Sequence, residues 1–106
     1  MRGFKIPKMD NQQLTALSEA YIRNLLAKYL PPNPAVYLYG SRARGDHRWN
    51  SDFDLWIKGV LPAHILSEIE EALEESFVPF KVDIVIGEQL TGQFAAEVKR
   101  DAILWM

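Results

Sequence analysis

Gly40-Ser41 is followed, after ten intervening residues, by Asp52-Phe53-Asp54, and no other feature of the chain restricts its fold as much. Side chains in a strand point alternately to opposite faces. In Ser51-Asp52-Phe53-Asp54-Leu55-Trp56-Ile57 the two aspartates therefore share one face while Phe53, Leu55 and Ile57 share the other. Two acids one pleat apart repel each other and call for a cation. Mg²⁺ takes hard oxygen ligands, usually one or two carboxylates together with phosphate oxygens and water, and such a pair offers them. A third acid, Asp83, lies in Phe80-Lys81-Val82-Asp83-Ile84-Val85-Ile86, where Val82, Ile84 and Ile86 alternate with Lys81, Asp83 and Val85. A carboxylate among so many apolar residues needs a cation or a salt bridge, with Lys81 or an arginine as the simplest partner.

The remaining chain supplies elements to frame these strands. Leu14, Leu17, Tyr21, Leu25 and Tyr29 recur at helical spacing over residues 11–30, and the Pro31-Pro32-Asn33-Pro34 cluster stops that helix. Residues 35–39 read as the first strand, Gly40 as a turn, and residues 41–44 as a short helix whose first amides form a phosphate site. Residues 52–57 read as the second strand and 81–86 as the third. Between them, residues 63–77 form a helix with Ile65, Leu66, Ile69, Leu73 and Phe77 inward and Glu68, Glu70, Glu71, Glu74 and Glu75 in solvent. A last helix is expected over residues 91–104, with Phe94, Val98, Ala102 and Trp105 on one side. Strand, helix, strand over 52–86 is a parallel crossover, so Asp83 comes beside Asp54. The first strand should run antiparallel to the second, which brings Gly40 and Ser41 to the same edge. The expected fold is thus α+β, in the order α-β-(short α)-β-α-β-α, with a small mixed three-stranded sheet covered mainly on one face.

Tyr39-Gly40-Ser41-Arg42-Ala43-Arg44-Gly45, then Ser51-Asp52-Phe53-Asp54-Leu55, then an aspartate inside an apolar strand, resembles the nucleotidyltransferase superfamily that includes DNA polymerase beta, and within it the minimal nucleotidyltransferases. A dehalogenase would follow its second aspartate with Gly-Thr, whereas Leu55-Trp56 stand here. The resemblance implies a nucleotidyltransferase fold and a metal-dependent transfer of a nucleoside monophosphate to a hydroxyl. Asp52, Asp54 and Asp83 are then the catalytic residues and the ligands of two Mg²⁺ ions, for which Mn²⁺ can substitute. Gly40, Ser41, Arg42 and Arg44 are then the nucleotide-binding residues. Minimal nucleotidyltransferases are commonly antitoxins of helical HEPN-domain ribonuclease toxins encoded by an adjacent gene, and the implied reaction moves AMP from ATP to a tyrosine of that partner. Two other readings stay open: a module that masks its partner by contact alone, and a small-molecule nucleotidyltransferase of the aminoglycoside type.

Composition limits these readings. With 106 residues, 48% of them apolar, the expectation is a single nucleotidyltransferase domain over 1–106, with 1–10 a flexible lead and the acceptor brought by a partner or by a second copy in a homodimer or hetero-oligomer. The net charge of −2 argues against a grip on long nucleic acid, which needs a basic surface. The chain has no cysteine and no apolar run long enough for a signal peptide or a bilayer span, so the expected location is the cytoplasm, away from membranes. Tyr37, Tyr39, Trp56 and Val85 share the face of the acids, and they are expected to leave exposed aromatic surface around Trp56 for partner docking.

Overall fold

The computed structural model describes residues 9–32 and 34–106. The expected flexible lead falls outside the described residues at 1–8, but Asp10 is ordered. It begins α1 (Asn11–Tyr29) with a capping box, its Oδ1 accepting from the Gln13 amide at 2.7 Å while Gln13 Oε1 accepts from the Asp10 amide at 3.0 Å. Ser18, Ile22 and Leu26 form the buried stripe of α1. The expected stripe through Leu14, Leu17, Tyr21, Leu25 and Tyr29 is displaced by one position, and Leu17 is 46% exposed. Ser18, small and wholly buried, takes a place in the buried stripe that the pattern had not marked.

Strands β1 (Val36–Tyr39), β2 (Phe53–Ile57) and β3 (Val82–Ile86), and helices α2 (Ser41–Arg44) and α3 (Ala63–Glu74), follow the expected order within a residue or two at most ends. β1 pairs antiparallel with β2 and β2 parallel with β3. Val36, Leu38, Phe53, Leu55 and Ile57 face the core, packed with Ile22 and Leu26 of α1 and Ile69 of α3. Tyr21 and Phe77 meet edge to face at 5.3 Å where the α1 and α3 segments adjoin. The glutamates of α3 are in solvent, as the pattern required.

The C-terminal part departs from the expectation. α4 (Gly92–Asp101) stops three residues short, Ala102 turns extended at φ −65° and ψ 134°, and Ile103–Leu104 pairs with β1 as a fourth strand, β4. The sheet order is β3-β2-β1-β4, so four strands replace the expected three. The backbone groups on the outer side of β1 need partners, and this segment provides them where a longer helix could not. Trp105 then enters the core beside Phe53, under the guanidinium of Arg23, instead of sharing a helix face with Phe94. α4 itself lies on the side of the sheet opposite α1 and α3, with the Phe94 ring against Tyr39 at 6.0 Å. No helix among the described residues is long and apolar enough to cross a membrane.

Candidate functional site

Register brings the acids together. Asp54 lies between Tyr39 on β1 and Asp83 on β3, directly opposite each. Asp52 precedes β2 and is exposed. β1 ends at this edge and hands the chain to Gly40, at φ 77° and ψ −158°, a region open essentially to glycine alone. A Cβ on Gly40 would run into the Asp54 carboxylate. The glycine turn and the second aspartate are thus in direct contact, which strand alternation alone does not demand.

The electrostatics follow from this crowding. Burial, then the charges of Asp83 and Asp52, hold the Asp54 carboxyl above the usual carboxylate range, with Lys81 and Arg44 opposing. Burial and the same carboxylates at Asp54 and Asp83 hold the Tyr39 phenol above its ordinary value, so it stays neutral. Asp83 meets Lys81 at 3.6 Å, the partner foreseen for it, but both side chains are well exposed and such a pair adds little. Among the described residues no three acidic or histidine side chains draw close enough to form a ready metal cage. The donor set nevertheless suits a divalent cation carrying a triphosphate: hard oxygens on adjacent strands, repelling one another, beside a turn pared to backbone.

Ser41 is the first residue of α2, and its hydroxyl makes no hydrogen bond to the described residues. The two arginines are placed differently from the expectation. Arg42 is turned inward at 9% exposure, its Nε donating to the Ser51 carbonyl at 3.0 Å and its Nη2 to the Trp49 carbonyl at 2.8 Å. Its guanidinium lies over the Phe53 ring at 4.2 Å and the Phe80 ring at 4.9 Å, and burial lowers its pKa. Arg44 pairs with Asp46 at 3.1 Å and with Asp101, at the end of α4, at 2.8 Å. These pairs engage its Nε and Nη1 and leave Nη2 without a partner among the described residues. No periodicity marks an arginine for burial, so neither assignment was legible in the sequence; alternation put Tyr39 on the face of the acids, but its place opposite Asp54 comes from the register of the pairing.

Trp56 corrects the expected docking face. It is 6% exposed, stacked on Tyr37 at 5.1 Å, and its Nε1 donates to the Gly87 carbonyl at 2.9 Å. An indole with a partner for its N–H and a ring on its face is a packed residue, and no aromatic docking surface is open there. Exposed apolar area on this side is found instead at Phe94 and Leu104, 46% and 65% exposed.

Residues 21–105 match the family described as Polymerase beta, Nucleotidyltransferase. A Haemophilus influenzae protein named "Probable protein adenylyltransferase MntA" is 35% identical over 77 residues, spanning 69% of this chain and 67% of that one. A solved minimal nucleotidyltransferase is similar with a TM-score of 0.61 and 31% identity, over 92% of this chain and 98% of the other. The fold is also similar, at a TM-score of 0.62 and 22% identity over 86% and 71% of the two chains, to a complex of the tri-AMPylated Shewanella oneidensis HEPN toxin with an MNT antitoxin.

Proposed function

Because the chain belongs to the polymerase beta nucleotidyltransferase family, we propose that it transfers AMP from ATP to a hydroxyl, most simply a tyrosine, of a HEPN-type partner protein and thereby acts as that partner's antitoxin. The observation that carries this reading is the contact between the Gly40 turn and the Asp54 carboxylate, with Asp83 alongside. A triphosphate lying on the turn is thereby brought to carboxylate oxygens without any side chain intervening at residue 40.

Asp52, Asp54 and Asp83 would hold divalent metal, Mg²⁺ or Mn²⁺. Such ions neutralise phosphate charge and make the incoming hydroxyl more acidic. Gly40 lets the backbone approach the phosphates, and Ser41 has a free hydroxyl to donate to a phosphate oxygen. The partner's hydroxyl oxygen forms a bond to the α-phosphorus as the bond from that phosphorus to the bridging oxygen breaks. Pyrophosphate leaves, and Asp83, exposed at the edge, takes the hydroxyl proton. Holding the two reacting groups in line supplies much of the rate. Neutral Tyr39, opposite Asp54 in the ladder, adds no charge beside it.

Incubation of the protein with ATP, Mg²⁺ and the HEPN-type protein encoded beside it, followed by intact mass of both chains, tests this. A gain of one or more AMP units on the partner is expected, abolished by Asp83→Asn without loss of complex formation. Neutralisation of the partner that proceeds equally without ATP would instead establish masking by contact.

A further inference from the structure

Of the three carboxylates, Asp54 and Asp83 are held by the ladder between β2 and β3, which fixes the directions of their side chains. Asp52 lies one residue ahead of that ladder and is exposed. On its far side the Phe53 amide donates to the Lys81 carbonyl at 2.9 Å, anchoring the residue that follows. A metal-ligand constellation tolerates errors of only about 0.5 Å, so the near side of Asp52 also has to be fixed.

Arg42 fixes it. The Ser51 carbonyl that accepts from Arg42 Nε belongs to the same planar peptide as the Asp52 amide, so this bond sets the direction in which Asp52 leaves the loop. The second bond, to the Trp49 carbonyl, holds the turn two residues earlier. That turn is also closed from within: the Ser51 amide donates to the Arg48 carbonyl at 3.1 Å and the Arg48 amide to Ser51 Oγ at 2.9 Å. The guanidinium cannot drift, being buried against the rings of Phe53 and Phe80. Burying a cation is costly, and two carbonyl acceptors plus two aromatic faces offset that cost. Arg42 also stands next to Ser41 in α2, so a single stiff side chain links the glycine turn to the loop that ends in Asp52.

We propose that Arg42 is a positioning residue that locks the Ser51–Asp52 peptide to the Gly40-Ser41 turn, making the phosphate cradle and the Asp52 carboxylate one rigid unit; this rests on the nucleotidyltransferase reading of the site. Arg42 acts through Asp52 and does not touch the nucleotide. Lysine cannot replace it, since a compact ammonium cannot serve both carbonyls and lie flat between two rings.

The test compares wild type with Arg42→Lys and Arg42→Met, alone and with Asp52→Asn. Should Arg42→Met fail to fold, Arg42→Lys carries every comparison. Backbone order parameters at Trp49, Ser51 and Asp52 are expected to fall from the rigid range near 0.85 toward about 0.6 in the Arg42 variants while Asp54 and Asp83 stay unchanged. The affinity for ATP in the presence of Mn²⁺ is expected to drop about 10- to 100-fold, as for other residues that orient a metal ligand, with metal-free ATP binding unaffected. In the Asp52→Asn background the Arg42 substitutions should cost nothing more. An equal loss in that background, or a loss without metal, would mean that Arg42 contacts phosphate and overturns the proposal. Unchanged order parameters at Ser51 and Asp52 would overturn it independently. If wild type itself showed no Mn²⁺-dependent ATP binding, the functional reading would fail, and the order parameters would still decide whether Arg42 holds the Asp52 peptide.

Discussion

Gly40→Ala separates two costs that are usually merged. The first is backbone strain: φ 77° with ψ −158° is almost closed to residues with a Cβ, and holding one there costs about 1–3 kcal/mol. For a domain of this size that lowers the melting temperature by roughly 4–8 °C per kcal/mol, hence between about 4 and 24 °C. The second cost falls on the site. The new Cβ would collide with Asp54 Oδ2 and stand 3.3 Å from its Cγ, so the carboxylate has to turn aside and its carbon to give by a few tenths of an ångström. A misplacement of about 1 Å in a catalytic group costs on the order of 10²-fold in rate. Gly45→Ala is the control: Gly45 is also left-handed, at φ 87° and ψ 6°, but nothing lies within 4 Å of the added Cβ. It should lose about 1–2 kcal/mol of stability and keep its transfer rate. Thermal unfolding and AMP transfer, the latter assayed at least 15 °C below each variant's melting point, distinguish the two. If Gly40→Ala transferred AMP at the wild-type rate, or Gly45→Ala lost as much activity, the close approach of turn and carboxylate would not be the feature that matters.

Other outcomes are as specific. Because the folded pKa of Asp54 is raised, its contribution to stability is present in full below the unfolded carboxylate value near 4 and is lost as pH rises through the folded value, so ionised Asp54 costs the empty protein stability at neutral pH. Asp54→Asn should therefore melt higher than wild type at pH 7 and lose that advantage as pH falls to about 4; a constant difference across this window would contradict the linkage. Mn²⁺ with ATP should raise the wild-type melting temperature, and Asp52→Asn combined with Asp54→Asn should remove the gain, whereas an undiminished gain would place the metal elsewhere. Trp56→Phe should cost about 1 kcal/mol for the lost bond to Gly87 and leave partner affinity alone, while a selective fall in partner binding by titration would restore Trp56 to the docking surface.

The placement of Arg42 shows where sequence reasoning stops. An arginine in a glycine-flanked polar segment is ordinarily solvated, and the approach of Phe53 from β2 and Phe80 from the segment before β3, with the carbonyls of Trp49 and Ser51, makes an inward position tolerable. Trp56 is a similar case. Strand alternation put it correctly on the face of the acids, but whether that face was open depended on Tyr37 across the ladder and on the Gly87 carbonyl, 31 residues away in the chain.

Strand alternation, helix spacing and glycine and proline punctuation are local, and they determined three of the four strands, all four helices in outline, the parallel crossover and the convergence of Gly40, Asp54 and Asp83 on one edge. These follow from the sequence because each rests on a period of two or about four residues, or on a handed connection. What tertiary structure alone decided rests on partners distant in sequence. Ile103–Leu104 became a strand because β1 had an unpaired edge, Arg44 turned to Asp101 because α4 ends beside it, and residue 40 has no room for a side chain because the Asp54 carboxylate fills that space.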